Sequence, residues 1–248
     1  MTVKQIIKAM LPGRLLKLIR KHRADSRFGE YRDLPIEQVF SKIYADKVWG
    51  DPSGPSEQFY SGSGSHADNI TSAYINAVSE FFNSLDKKPN VVDLGCGDFY
   101  VGQQIRSLCG EYIACDIVPA LVEFNREKYR SLDVSFRLLD LTADELPAGD
   151  VVFIRQVLQH LSNSQIQKAL PGVAIRYRYL ILTEHLPHAP SFKHNLDKPA
   201  GPDTRLNIES GVVLTSAPFN LKPVAEYQLC QVIDEDGIIK TTLYEFNP

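Results

Sequence analysis

The stretch Val91-Val92-Asp93-Leu94-Gly95-Cys96-Gly97-Asp98 decides how the rest of the chain is read. A short apolar run over 91–94 ends in two glycines one residue apart, and Val101-Gly102-Gln103-Gln104-Ile105 then reads as a helix. That order is a buried strand, a tight turn and a helix start. Gly95 and Gly97 lack Cβ, so the turn can be sharp and a ligand can lie close to the backbone. The carboxylate of Asp93, just ahead of the glycines, repels a phosphate and welcomes a cationic or hydroxyl-bearing ligand.

Outward from this turn the pattern repeats. Strands are predicted at 111–116, 134–139, 149–155 and 177–184, with helices at 101–109, 119–131 and 163–170. Such alternation implies an α/β fold of the Rossmann-like, doubly wound kind, with helices on both faces of a parallel sheet. The segments 224–233 and 238–246 are strands joined by Asp234-Glu235-Asp236-Gly237, a hairpin turn. The expectation is a mostly parallel seven-stranded sheet closed by an antiparallel C-terminal hairpin strand. Residues 185–222 break the rhythm with Pro187, Pro190, Pro199, Pro202 and Pro218 and show no helical period, which marks a lid or substrate loop.

Upstream, residues 1–55 read as an N-terminal helical and basic extension and 56–248 as the main domain. A helix is predicted near 34–45, and another at 68–85 with Asp68 as its N-cap. Between them, Phe59-Tyr60-Ser61-Gly62-Ser63-Gly64-Ser65 is either a flexible linker or a loop that wraps a ligand carboxylate with backbone N–H groups. The aromatics Trp49, Phe59 and Tyr60 favour an ordered loop. Residues 1–23 hold seven basic side chains and no acid, on apolar faces interrupted by Pro12-Gly13. Such a segment either packs on the domain or lies on an anionic membrane surface as a peripheral contact. That +7 leaves −10 on the remainder of a chain whose net charge is −3, so a nucleic-acid partner is not expected. The four cysteines have no zinc-ligand spacing, no metal site is recognisable, and no apolar run approaches a membrane span. These features suit a cytoplasmic protein with reduced thiols.

In a doubly wound sheet, ligands bind at the carboxyl ends of the strands. The second strand ends in Asp116, an acid placed to bond both hydroxyls of a ribose; the third ends in Asp140-Leu141, and Ile117 and Leu141 can flank an adenine ring. The fourth ends in Arg155-Gln156, followed by Val157-Leu158-Gln159-His160-Leu161. A nicotinamide dinucleotide usually asks for G-x-G-x-x-G. Here the third glycine, Gly102, comes too late.

Asp93-Leu94-Gly95-Cys96-Gly97 resembles the first motif of class I S-adenosylmethionine-dependent methyltransferases, and Asp116, Asp140 and 149–161 fall where that family's later motifs fall. The resemblance covers about residues 56–248 and includes the antiparallel closing strand. More narrowly, Trp49-Gly50, Ser61-Gly62-Ser63-Gly64-Ser65, Gly97-Asp98-Phe99, Asp116-Ile117-Val118-Pro119 and Arg155–Leu161 are similar to a little-described group associated with polysaccharide or surface-glycan biosynthesis. The resemblance implies S-adenosylmethionine as cofactor, held by Tyr60, Ser61, Asp93, Gly95, Cys96, Gly97, Asp116, Ile117, Asp140, Leu141 and Arg155. It also implies O-methylation of a glycan or other small hydroxyl-bearing acceptor.

A hydroxyl acceptor needs a base. His160 is the first candidate, because an imidazole titrates near neutral pH, with a structural role as the alternative. His185, beside Glu184, is the second, and His188 and His194 lie in the long loop. Arg155 either pairs with an acidic acceptor or forms a salt bridge to Asp150 or Asp140. Asn195, Asp197, Asp203 and Arg205 are groups of the kind that bind sugar hydroxyls. A competing reading is a non-catalytic cofactor-binding subunit of a glycan-assembly complex; it differs in whether 185–222 closes over a polar cavity or folds into it. An N-methyltransferase is a third reading, disfavoured at this stage by the charge of Arg155.

Overall fold

A computed structural model describes residues 29–52, 54 and 57–247. The basic segment 1–23 lies outside the described residues. The first strands are β1 (Val91–Leu94), β2 (Tyr112–Asp116), β3 (Ser135–Leu138), β4 (Val151–Arg155) and β5 (Tyr179–Leu186), with the last pair at Ala225–Ile233 and Ile238–Glu245. Two further strands of two residues each, β6 (Lys193–His194) and β7 (Ser210–Gly211), pair with one another, so the closing strands are β8 and β9. The main sheet runs β3-β2-β1-β4-β5-β9-β8. The first five strands are parallel, and β9 runs antiparallel to both β5 and β8. The expected seven-stranded architecture is present, and the strand order reverses between β1 and β4, where such sheets open a ligand crevice.

Side-chain alternation explains the two cores. Val92, Leu94, Val152 and Ile154 point to one face, where they meet Leu121, Ile166 and Val173. Val91, Val151 and Phe153 point to the other, against Tyr74, Val78 and Phe82. Residues two apart share a face, so strands buried on both sides must be apolar throughout. The helix α1 (Ile36–Ala45) buries Val39, Phe40 and Ile43 in the first of these cores. Residues 36–45 therefore belong to the same core as the sheet.

Several helix boundaries differ from the sequence reading. After the four-residue α2 (Ser63–His66), helix α3 (Asp68–Asn83) has Ala67 rather than Asp68 at its N-cap. The helix expected at 101–109 is a short α4 (Gly102–Ile105) followed by a 3-10 turn at Arg106–Leu108. Beyond α5 (Pro119–Lys128), helix α6 (Asn163–Arg176) runs through Pro171, where the sequence suggested a stop. Burial of Leu170 and Val173 on the sheet outweighs the donor that Pro171 lacks. Its start is fixed by a capping box between Ser162 and Gln165.

Candidate active site

The β1 turn is built from the backbone outward. The N–H groups of Gly95 and Cys96 both donate to the carbonyl of Cys115, at 2.8 and 2.9 Å. Gly95 and Gly97 have φ of 79° and 56°. A Cβ at Gly95 would stand 2.4 Å from Val157, and one at Gly97 2.5 Å from the Ser61 hydroxyl. The cradle is thus open only because both positions are glycine. Asp116 closes its far side: one carboxylate oxygen accepts from Gly97 N at 3.0 Å, the other from Val118 N at 3.1 Å.

The Ser61–His66 segment is ordered and stitched to this turn. Ser61 N donates to Asp98 at 2.8 Å while Asp98 N donates to Ser61 Oγ at 2.9 Å. His66 Nε2 lies 2.6 Å from the same carboxylate, with its ring stacked on Tyr100. Arg155 reaches across to donate to the Gly64 carbonyl at 2.5 Å and to Ser65 Oγ at 3.1 Å, its guanidinium lying over Tyr74. Gln156, held at φ 56°, adds a bond to the Gly64 carbonyl.

These elements enclose a cavity of about 390 Å³, a size suited to a nucleoside-sized ligand. Ser61, Asp93, Gly95, Cys96, Gly97, Asp116, Ile117, Asp140, Leu141, Arg155, His160 and His185 all line it. Tyr60 does not: its ring packs on His66. Arg155 pairs with neither Asp150 nor Asp140. Asp150 accepts from Asn90 N, and Asp140 accepts from the N–H and hydroxyl of Thr142. Asp98, His66, Gln156, Gln159 and Trp49 do more here than sequence reasoning assigned them. The order of Asp98 directly after the glycine turn was the available signal for the first. For the others, the contacts span up to 153 residues and have no local signature.

The far wall comes from α1 and the long loop. Trp49 donates its indole N–H to the Pro202 carbonyl at 3.1 Å, packs edge-on to Tyr44 and faces His160 at 5.1 Å between ring centres. The loop is held by Arg205, which donates to the carbonyls of Leu161 and Leu196, and by Lys198, whose ammonium reaches the His160 carbonyl. Asn195 and Asp197 are likewise spent on the loop's own backbone and on Asn163. Of the loop beyond β5, Pro202 and Thr204 reach the cavity wall, leaving the cavity open.

Burial governs the charges. It pushes the Asp93 carboxyl up to about 7, against a hydrogen bond from Tyr112 and the Arg155 guanidinium. It pushes Asp116 up to about 6 against three backbone N–H groups, and Glu184 up to about 8 against Arg205. His160 is pushed down to about 3 by burial and by the Lys198 ammonium, so it does not titrate near neutrality as the sequence suggested. His185 is also lowered by burial, but Asp234 and Asp236 oppose this. The three raised carboxyls carry a stability consequence. Free in the unfolded chain, they lose their protons near 3.8 for Asp and 4.5 for Glu. Above those values the folded state binds more protons, so stability falls as pH rises through about 6, 7 and 8. The thermal midpoint of the ligand-free protein is expected to drop between about pH 5 and pH 8, and Asp93→Asn to flatten part of that slope. A midpoint that climbs across this window would contradict the assignment.

Residues 91–176 match the family model described as a methyltransferase domain. That match spans about a third of the chain. Solved structures agree in fold. Magnesium protoporphyrin IX methyltransferase from Synechocystis, with bound S-adenosylhomocysteine, superposes with a TM-score of 0.57 at 13% identity, covering 86% of this chain and 100% of that one. The N-methyltransferase NodS from Bradyrhizobium japonicum, also with S-adenosylhomocysteine, gives 0.57 at 13% identity, covering 86% and 99%. An S-adenosylmethionine-dependent methyltransferase from Leishmania major gives 0.56 at 14%, covering 89% of each chain. A comparison with curated proteins finds no match.

The site's residues fit S-adenosylmethionine. The glycine cradle leaves room for a ligand against the backbone. Asp116 keeps lone pairs on both oxygens beyond the backbone bonds it accepts. Asp93, Asp98 and Asp116 surround the turn with carboxylates, which suits a sulfonium and opposes a pyrophosphate.

Proposed function

We propose that this protein is an S-adenosylmethionine-dependent methyltransferase that acts on a hydroxyl of a small neutral molecule, sugars included, with the acceptor held at the end of the cavity walled by Trp49, Gln159, His160, His185 and Thr204. The observation that carries this reading is a single cavity lined both by the strand-end acids and glycines and by this aromatic, imidazole-bearing wall. S-adenosylmethionine, when bound, supplies an electrophilic methyl group on a sulfonium. The chain's own work is positioning and exclusion of water. Asp116 and the 95–97 backbone would hold the ribose end, Ile117 and Leu141 the flat base, and the Ser61–Ser65 loop the amino-acid end. Trp49, pinned by Pro202, offers a flat face for the acceptor.

The acidic acceptors that Arg155 suggested, a uronate or a phosphate, lose their support because the guanidinium is committed to Gly64, Ser65 and Tyr74. The same commitment removes the objection to an amine. Five carboxylates line the cavity (Asp93, Asp98, Asp116, Asp140 and Asp234), which favours N-methylation as the second reading. A glycan as the specific acceptor rests on the narrower resemblance alone.

Calorimetric titration with S-adenosylhomocysteine tests the base of this reading. Binding in the micromolar range, about −8 kcal/mol, is expected. Because Trp49 is the single tryptophan, its fluorescence reports occupancy of the acceptor end independently. Folded protein that ignores S-adenosylhomocysteine at several hundred micromolar, roughly −5 kcal/mol or weaker, would refute the reading. Screening neutral alcohols, sugars and amines for S-adenosylhomocysteine release then separates the two acceptor classes.

A further inference from the structure

Two imidazoles line the same cavity, and their charge environments are opposite. His160 stands beside the Lys198 ammonium and takes a contact from the Gln159 amide at 3.3 Å. Protonating it would set a second cation against the first, and what favours the charge there is backbone at Gly201, Pro202 and Asp203. His185 is different. Its Nε2, buried without a hydrogen bond as Nδ1 of His160 also is, lies 3.5 Å from Asp234 Oδ2. Asp234 comes from the turn between β8 and β9 and itself lines the cavity. The groups that act on the His185 ring are Asp234, Asp236 and His188, and its backbone N–H donates to the side-chain oxygen Oε1 of Gln159 at 3.0 Å. The turn is seated tightly, since a Cβ on Gly237 would lie 2.3 Å from the Leu186 carbonyl and 3.1 Å from the His185 ring.

We propose that His185 is the base that takes the acceptor's proton, and that Asp234, carried in by the C-terminal hairpin, is its positioning residue. This rests on the methyltransferase reading above. With Nε2 turned to the carboxylate, Asp234 draws the ring proton to Nε2 and leaves the Nδ1 lone pair for the acceptor. The 3.5 Å separation is a ligand-free distance of the kind that shortens in a reacting complex. The step balances. The acceptor oxygen forms a bond to the methyl carbon, and the carbon–sulfur bond breaks with its electron pair going to sulfur. The acceptor's proton passes to Nδ1, and the imidazolium so formed is countered by Asp234. His160, kept neutral, shapes the wall beside Trp49.

The experiment uses the full chain saturated with S-adenosylhomocysteine, its histidine rings labelled with nitrogen-15 and followed by NMR across pH. In the wild type, His185 should carry its proton on Nε2. Asp234→Asn should lower its titration midpoint by about one pH unit and shift the tautomer balance, with S-adenosylhomocysteine affinity within about twofold of wild type. With the acceptor found by the release screen, His185→Gln should lower turnover by about 10²-fold, while His160→Gln should lower it far less. Asp234→Asn should move the acidic limb of the pH profile downward, and Asp234→Glu should restore part of it. An unmoved His185 midpoint in Asp234→Asn, or undiminished turnover in His185→Gln, overturns the dyad and leaves the methyltransferase reading standing. Failure of the wild type to bind S-adenosylhomocysteine overturns both.

Discussion

Arg155→Ala is expected to lose about 3 kcal/mol of stability, a fall in melting temperature of roughly 10 °C for a chain of this size. The side chain sits at the end of β4 and is half-buried. Its guanidinium makes bonds to the Gly64 carbonyl and Ser65 hydroxyl and lies over the Tyr74 ring at 5.2 Å. Truncation leaves the Gly64 carbonyl with the weaker Gln156 contact at 3.3 Å, opens a cavity against Tyr74, and removes a guanidinium near Asp93. Because the same bonds tether α2, S-adenosylhomocysteine affinity should fall by about tenfold or more, roughly 1.4 kcal/mol. Arg155→Lys isolates the cause. It retains the charge that Asp93 feels and loses the fork that bridges two residues of the loop. It should therefore recover part of the stability and little of the affinity. Thermal unfolding and calorimetry read both quantities, and an Arg155→Ala protein within 1 kcal/mol of wild type would show that the tether does nothing.

What could be read from the chain alone follows from the range of the interactions involved. The glycine turn, the strand-end acids and the closing hairpin are short-range patterns. Asp93, Gly95, Gly97, Asp116 and Asp140 fall at the rim because strand ends in a parallel sheet have nowhere else to go. The role of Arg155 was not legible. Its partners lie about ninety residues earlier, and they are a carbonyl and a hydroxyl rather than the acids a charge suggests. Tyr60 was misplaced by one step, since Ser61 turns inward to Asp98 and Tyr60 turns onto His66. The protonation state of His160 was not legible for another reason. An imidazole's ordinary titration range says nothing of burial, nor of the ammonium at Lys198 that keeps His160 neutral. Asp234 read only as a turn residue, because the antiparallel pairing that carries it back to β5 is a tertiary fact.

The second large effect is expected at Gly97→Ala, a change of one methyl group. Gly97 is at φ 56°, where an L-residue costs about 1–2 kcal/mol. The added Cβ would stand 2.5 Å from Ser61 Oγ. Neither side can yield at little cost. The Gly97 N–H is bonded to Asp116 and its carbonyl accepts from Asn125 at 2.8 Å, so the turn is held on both flanks. Ser61 Oγ accepts from Asp98 N and shares a bond with the Tyr44 hydroxyl at 2.9 Å. Pushing it away undoes the reciprocal Ser61–Asp98 pair and lets the loop swing from the cradle. The chain should fold, because the strain is local and the two cores lie elsewhere, and S-adenosylhomocysteine affinity should fall about a hundredfold, or roughly 2.8 kcal/mol. Adding Ser61→Ala removes the atom that the new methyl meets. If the collision is the cause, the double variant binds more tightly than Gly97→Ala alone, a coupling of about 1 kcal/mol between residues thirty-six apart in sequence. If the strained φ is the whole cause, the two losses add, and the contact between the loop and the turn is not what keeps the cradle closed.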